Sequence, residues 1–148
     1  MGLFQGFDIA ASGMTAQRFR MDTIAENIAN INTTRDEDGE PYRRKIVTFE
    51  EKNLTATSFA DTLNYVQAYK GNGVKVSAVH EDYETDFVME YDPSHPDADE
   101  NGYVTYPNVN TVTEMTNLID ASRGYQANVT AFDALKAMAQ QGISIGTS

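Results

Sequence analysis

Apolar side chains recur at heptad spacing along the N-terminal part of the chain. Phe7, Met14, Met21 and Ile28 are seven apart, and Ala10, Gln17, Ile24 and Ile31 follow three residues later, with one polar break at Gln17. Phe4, Ala11, Ala25 and the stem of Arg18 widen the stripe. An a/d seam of this kind predicts a helix over 4–31, about 28 residues and about 42 Å long. It stops at Asn30-Ile31-Asn32-Thr33-Thr34, where side chains that compete with the backbone end helices readily.

A second helix is expected after Tyr106-Pro107-Asn108-Val109-Asn110. Thr111-Val112-Thr113-Glu114 has the form of a capping box, with Thr111 and Glu114 each satisfying an orphan amide of the first turn. Met115, Leu118, Ser122, Tyr125, Val129, Phe132 and Ala139 then alternate at three and four residues, drifting late toward Leu135 and Met138. The pattern runs to about Gln141, after which Gly142 is expected to loosen the chain.

Between the helices the period changes to two. Tyr42–Phe49 reads as a strand after an Asp38-Gly39 turn, and Gly73–Val79 alternates like a half-buried strand. Asp86–Tyr91 and the short Tyr103–Tyr106 are two further candidates. The stretch 53–70 is ambiguous, and Ser58–Tyr69 is open to either a helix or an irregular excursion. The expected class is mainly α with a small β-rich middle: residues 1–34 and 109–148 pair as a coiled-coil-like core, and residues 35–108 form the middle segment.

Charge separates the same parts. Of the net charge of −11, residues 36–108 carry nearly all, with 16 acids against 6 bases. Such an acidic balance argues against nucleic acid and anionic membrane as partners. No apolar run approaches the roughly 20 residues that span a bilayer, so direct membrane insertion is not expected. Met1–Asp8 has no basic stretch before a long apolar one, so a cleaved Sec-type signal is not expected either. With no cysteine there are no disulfides, thiolate nucleophiles or sulfur-ligated metals.

The terminal helices are unusual for a monomer. Thr15, Thr23, Asn27 and Asn30 on the first, and Asn117, Asn128 and Thr130 on the second, stand on faces read as outward, where Lys and Glu are usual. Gly13 and Gly124 sit mid-helix, each costing about 1 kcal/mol relative to Ala unless close contact requires them. One reading is a two-helix hairpin packed on the middle segment; the other buries both helices against further copies of the protein. A chain this short cannot cover two such helices on all sides, which favours the second.

Candidate chemistry is sparse. Asp97-Ala98-Asp99-Glu100-Asn101-Gly102 matches the opening of a calcium loop, but position twelve is Asn108 where a bidentate Glu belongs. His95 lies between Pro93 and Pro96 with no nucleophile motif near it, and His80 reads as a surface residue. Glu81, Asp82, Glu84 and Asp86 read as a solvated strand edge. No phosphate loop, dinucleotide fingerprint or nucleophile elbow is present. No catalytic residue, cofactor or metal ligand is expected.

Several stretches resemble a known family. Asp8-Ile9-Ala10-Ala11-Ser12-Gly13-Met14 and Ala25–Thr33 are similar to the N-terminal signature of the bacterial flagellar rod and hook proteins, and Glu114–Val129 resembles their C-terminal helix. Asp92–Asp99 leading into Gly102–Asn110 resembles the proximal, C-type rod branch. Gly124 departs from the larger residue expected there. The resemblance implies a structural subunit of the basal-body rod that polymerises around an export channel and helps to transmit motor torque. It implies copies of itself and other rod proteins as partners, together with the basal-body ring and export-gate complex. It also implies a periplasmic location reached through the flagellum's own type III apparatus. The expected subunit interface is the helical seam: Phe7, Met14, Met21, Ile24, Ile28, Ile31, Met115, Leu118, Tyr125, Val129 and Phe132. The alternative is a soluble acidic calcium-binding or adaptor domain.

Overall fold

The computed structural model describes residues 3–36, 39–52 and 71–146. Its elements run α1 (Leu3–Ala29), β1 (Lys45–Glu51), β2 (Val74–Glu81), β3 (Val88–Tyr91), β4 (Tyr103–Tyr106) and α2 (Thr111–Gly146). The expected class holds: two long terminal helices with short strands between them. The ambiguous stretch 53–70 lies outside the described residues.

Two details of α2 differ from expectation. The N-cap is Asn110 rather than Thr111: its Oδ1 accepts the Thr113 amide at 3.1 Å and its carbonyl accepts the Glu114 amide at 2.9 Å. Glu114 is thereby released from capping and turns inward, where it is 1% exposed. At the far end the helix continues through Gly142 to Gly146, because a single glycine costs about 1 kcal/mol and does not by itself break a helix.

Contacts divide the chain into two compact units. Of the described residues, the first combines α1 up to Arg18, residues 49–52 and 71–77, and α2 from Ser122 onward; the second combines residues 19–36 and 39–48 with Ala78–Ala121.

In the first unit the two helices run antiparallel, since partners on α2 descend as those on α1 ascend. Phe7 meets Phe132 edge to face, with ring centroids 4.9 Å apart. Leu135 covers Gly6, Asn128 covers Gly13, and Gln17 covers Gly124. A heptad step on one helix is thus matched by a heptad step on the other, as side chains on one stripe require. Ser12 anchors the start of β2: its hydroxyl donates to the Ile9 carbonyl at 2.7 Å and accepts the Val74 amide at 3.1 Å. Gly73 must be glycine there, because its φ is +89° and a Cβ would lie 2.2 Å from the Ser12 hydroxyl.

In the second unit β3 and β4 form an antiparallel hairpin with Val88 opposite Tyr106 and Tyr91 opposite Tyr103. Val104 is fully buried, and Ile24, Val109, Pro107 and Ala121 complete the apolar centre. β1 pairs with β2, and the Asp82 amide closes the ladder here onto the Arg44 carbonyl at 2.8 Å.

Candidate assembly core

Much of the second unit's interior is polar. Asn27 is 1% exposed and its amide is fully engaged. Nδ2 donates to the Lys45 carbonyl at 2.9 Å and to Glu114 Oε2 at 3.1 Å. Oδ1 accepts from the Lys45 amide and from the Tyr42 hydroxyl, both at 2.9 Å. Asn27 therefore bonds Lys45 as a neighbouring strand would, and docks the start of β1 onto α1. Thr23, 6% exposed, also faces inward, returning its hydroxyl to the Phe19 carbonyl. The expectation that Thr23 and Asn27 face outward is therefore corrected: Thr23 bonds back within its own helix, and Asn27 has partners that the helical pattern alone does not reveal.

Glu114 ties α2 into the same centre. Its Oε1 accepts from Arg44 Nε at 2.9 Å and Nη2 at 2.8 Å, and from Asn117 at 3.3 Å. Arg44 Nη1 reaches Asp82 Oδ2 at 3.3 Å, while the Arg44 amide donates to Asn108 Oδ1 at 2.8 Å. Asn108 Nδ2 completes the circuit through the carbonyls of Asp82 and Thr85. Every member is satisfied, the condition under which a buried polar network specifies one arrangement of its elements.

Asp82 is not part of a solvated edge, as the acidic run suggests, but is 6% exposed. Burial pushes its carboxyl up. Bonds from the Thr85 amide and hydroxyl, the Glu84 amide and the Arg44 guanidinium outweigh that and hold it below the usual carboxylate range. Burial, and then the charges of Glu26, Glu114 and Glu81, push the Tyr42 hydroxyl far up, so it remains a donor to Asn27.

The seam residues are distributed as follows. Phe7 and Phe132 touch, and Ile24 is buried. Met14, Met21, Ile28, Leu118, Tyr125 and Val129 are half-buried along the helices, as is Ile31 just beyond α1. Met115 is exposed and falls in a row with exposed Val112 and Ile119. The polar centre of Asn27, Arg44, Asp82, Asn108 and Glu114 is not visible in the hydrophobic pattern. The one hint is that Asn27 stands three residues after Ile24, on the buried row.

The carboxylates of the calcium-like loop have other partners. Asp97 takes the Arg35 guanidinium at 3.2 Å and the Thr34 hydroxyl at 2.8 Å. Asp99 Oδ1 accepts the Asn101 and Tyr103 amides, both at 2.8 Å, which folds the turn back on itself. Its carboxyl is held below the usual range, chiefly by the Tyr103 amide. His95 Nδ1 accepts the Asp97 amide at 3.1 Å. Among the described residues no group of three or more acids or histidines is placed to hold a metal.

The ends of the chain that build this core also match family models. Residues 7–35 match the model described as flagella basal body rod protein, and residues 100–145 match the flagellar basal body rod FlgEFG protein C-terminal model. Paired terminal helices and these two matches define a flagellar rod protein. Whole-length relatives narrow the class. The chain is 43% identical over 150 residues to the flagellar basal-body rod protein FlgC of Bacillus subtilis, with 99% of each chain covered. It is 41% identical over 150 residues to that of Borreliella burgdorferi and 39% identical over 146 residues to that of Escherichia coli O6:H1, covering 98% and 99% of each chain respectively. The chain belongs to the FlgC family of flagellar basal-body rod proteins.

Proposed function

We propose that this structural rod subunit polymerises through the outer faces of its terminal helices, around the export channel. The observation that carries the reading is the division of labour on α2. Glu114 and Ala121 turn inward and are satisfied by the chain itself, whereas Val112, Met115 and Ile119 are 75%, 55% and 55% exposed in a three-and-four spacing. An uncovered apolar helix stripe is a surface that another subunit covers. A contact between two different faces need not close, which is what an open helical array requires.

Other rod proteins and further copies of the chain are the partners this reading supports, together with the basal-body ring and export-gate complex. The location is the basal body, in the periplasmic space, reached by type III export. Among the described residues no helix is long and apolar enough to cross a membrane. The role is mechanical rather than enzymatic: it transmits torque through packed helices.

Ile119→Asp tests the reading. Because Ile119 is exposed, the purified variant should melt like the wild type, while its incorporation into basal bodies and swimming are lost. Normal swimming by this variant would remove α2's outer face from the assembly.

A further inference from the structure

We propose that Arg20 and the notch it lines form the socket for an aspartate or glutamate side chain of an adjoining rod subunit. The inference rests on the rod reading above and concerns the second unit alone. That unit holds five basic residues: Arg20, Arg35, Arg43, Arg44 and Lys45. Four are spoken for within the chain. Arg35 pairs with Asp97, Arg44 with Asp82 and Glu114, and Lys45 with Glu26. Arg43 lies over the rings of Tyr83 and Phe87, 4.4 and 4.2 Å from their centroids.

Arg20 alone of the five has neither an acidic partner nor a hydrogen bond among the described residues, although it is half-buried and one turn from the buried Ile24. It lines a notch of about 60 Å³ whose apolar walls include Ile24, Ile46 and Val47. That space exceeds the roughly 10–15 Å³ that a cavity needs to admit one water, leaving room for a carboxylate group. The other polar groups there are already committed: Thr23 to the Phe19 carbonyl, Lys45 to Glu26, and the lining carboxylate of Glu114 to Arg44, Asn27 and Asn117, which offsets its charge within the chain. Arg20 is therefore the cation left for an incoming charge. Phe19 and Ile46 are 42% and 38% exposed and offer apolar cover beside it.

The chemistry of the occupant follows from complementarity. A guanidinium fork matches a carboxylate in two parallel bonds, and apolar walls strengthen such a pair once a neighbour excludes water. Further copies of this chain are a ready source of carboxylates, since nearly all the net charge of −11 lies in residues 36–108, where Glu84, Asp86 and Glu90 are exposed.

The test uses basal bodies isolated from cells carrying Arg20→Lys, treated with a carbodiimide. This reagent condenses an amine and a carboxylate in contact into an amide, with loss of one water. The expected product is an amide between position 20 and an Asp or Glu of an adjoining rod subunit, mapped by peptide mass spectrometry. Arg20→Glu should lower incorporation by at least about tenfold while Arg20→Lys retains most of it. Purified Arg20→Glu should still melt like the wild type. A link only to an acid of the same chain, or no link together with wild-type incorporation of Arg20→Glu, overturns the proposal. Absence of the unaltered chain from purified basal bodies overturns the rod reading and this one together.

Discussion

Asn128 of α2 lies directly over Gly13 of α1, so that a Cβ at position 13 would sit 2.4 Å from the Asn128 Oδ1. Four residues further along α1 the roles reverse: Gln17 lies over Gly124, where a Cβ would meet the Gln17 side-chain carbon at 3.0 Å. Each helix carries an amide and a glycine, and each amide occupies the other helix's notch. The polar break in the seam and the small residue at position 124 are thus two halves of one contact.

Gly13→Ala should destabilise the fold by about 1–3 kcal/mol despite the better helix propensity of alanine. Asn128 cannot simply swing aside, because its Nδ2 is held by the Gly124 carbonyl at 2.8 Å. Urea melts of Gly13→Ala, Asn128→Ala and the double variant check this. The double variant should recover most of the loss, and strictly additive effects would show that the two side chains do not compete for one space.

Removing the central acid should cost more. Glu114→Ala leaves Arg44 and Asn27 facing a buried void and should lose about 3–5 kcal/mol. Glu114→Gln keeps the shape and part of the bonding, so its loss should be smaller. Equal melting of wild type and Glu114→Ala would mean that the network holds nothing together.

Acid should weaken the fold through Asp82. Its carboxyl is depressed in the folded chain, so between the folded value and the unfolded value near about 3.9 the unfolded chain binds more protons. The stabilisation is therefore complete above that unfolded value and is lost as pH falls through the folded one. Asp82→Asn should flatten the acid limb of a stability–pH curve below about pH 4. An unchanged slope would assign acid sensitivity to other carboxylates.

Asp97→Asn with Asp99→Asn distinguishes the rod protein from a calcium-binding domain. The Arg35–Asp97 pair is partly exposed, so the loss in stability should stay within about 1 kcal/mol and be the same with and without calcium. Calorimetric titration of the unaltered chain should show no calcium heat beyond dilution. Micromolar binding that disappears in the double variant would reinstate the calcium reading.

Both helices, the β4 strand and the acidic character of the middle follow from residue order alone, because periodicity and charge are local properties. Phe7, Ile24 and Phe132 stand on inward rows for the same reason: a 3.6-residue period assigns a face without reference to any other element. What the period cannot assign is which polar residues share that face. Asn27 and Glu114 are 87 positions apart, and each is tolerable inside only because the other, with Arg44 and Lys45, satisfies it. The choice of cap was likewise local but degenerate, since Asn110 and Thr111 are both competent and only the backbone of the first turn selects Asn110. The extra reach of α2 past Gly142 belongs to the same class, as a helix long enough can absorb one poor residue. Desolvation makes an unpaired buried polar group costly, so its burial is settled only when the tertiary structure brings its partners to it.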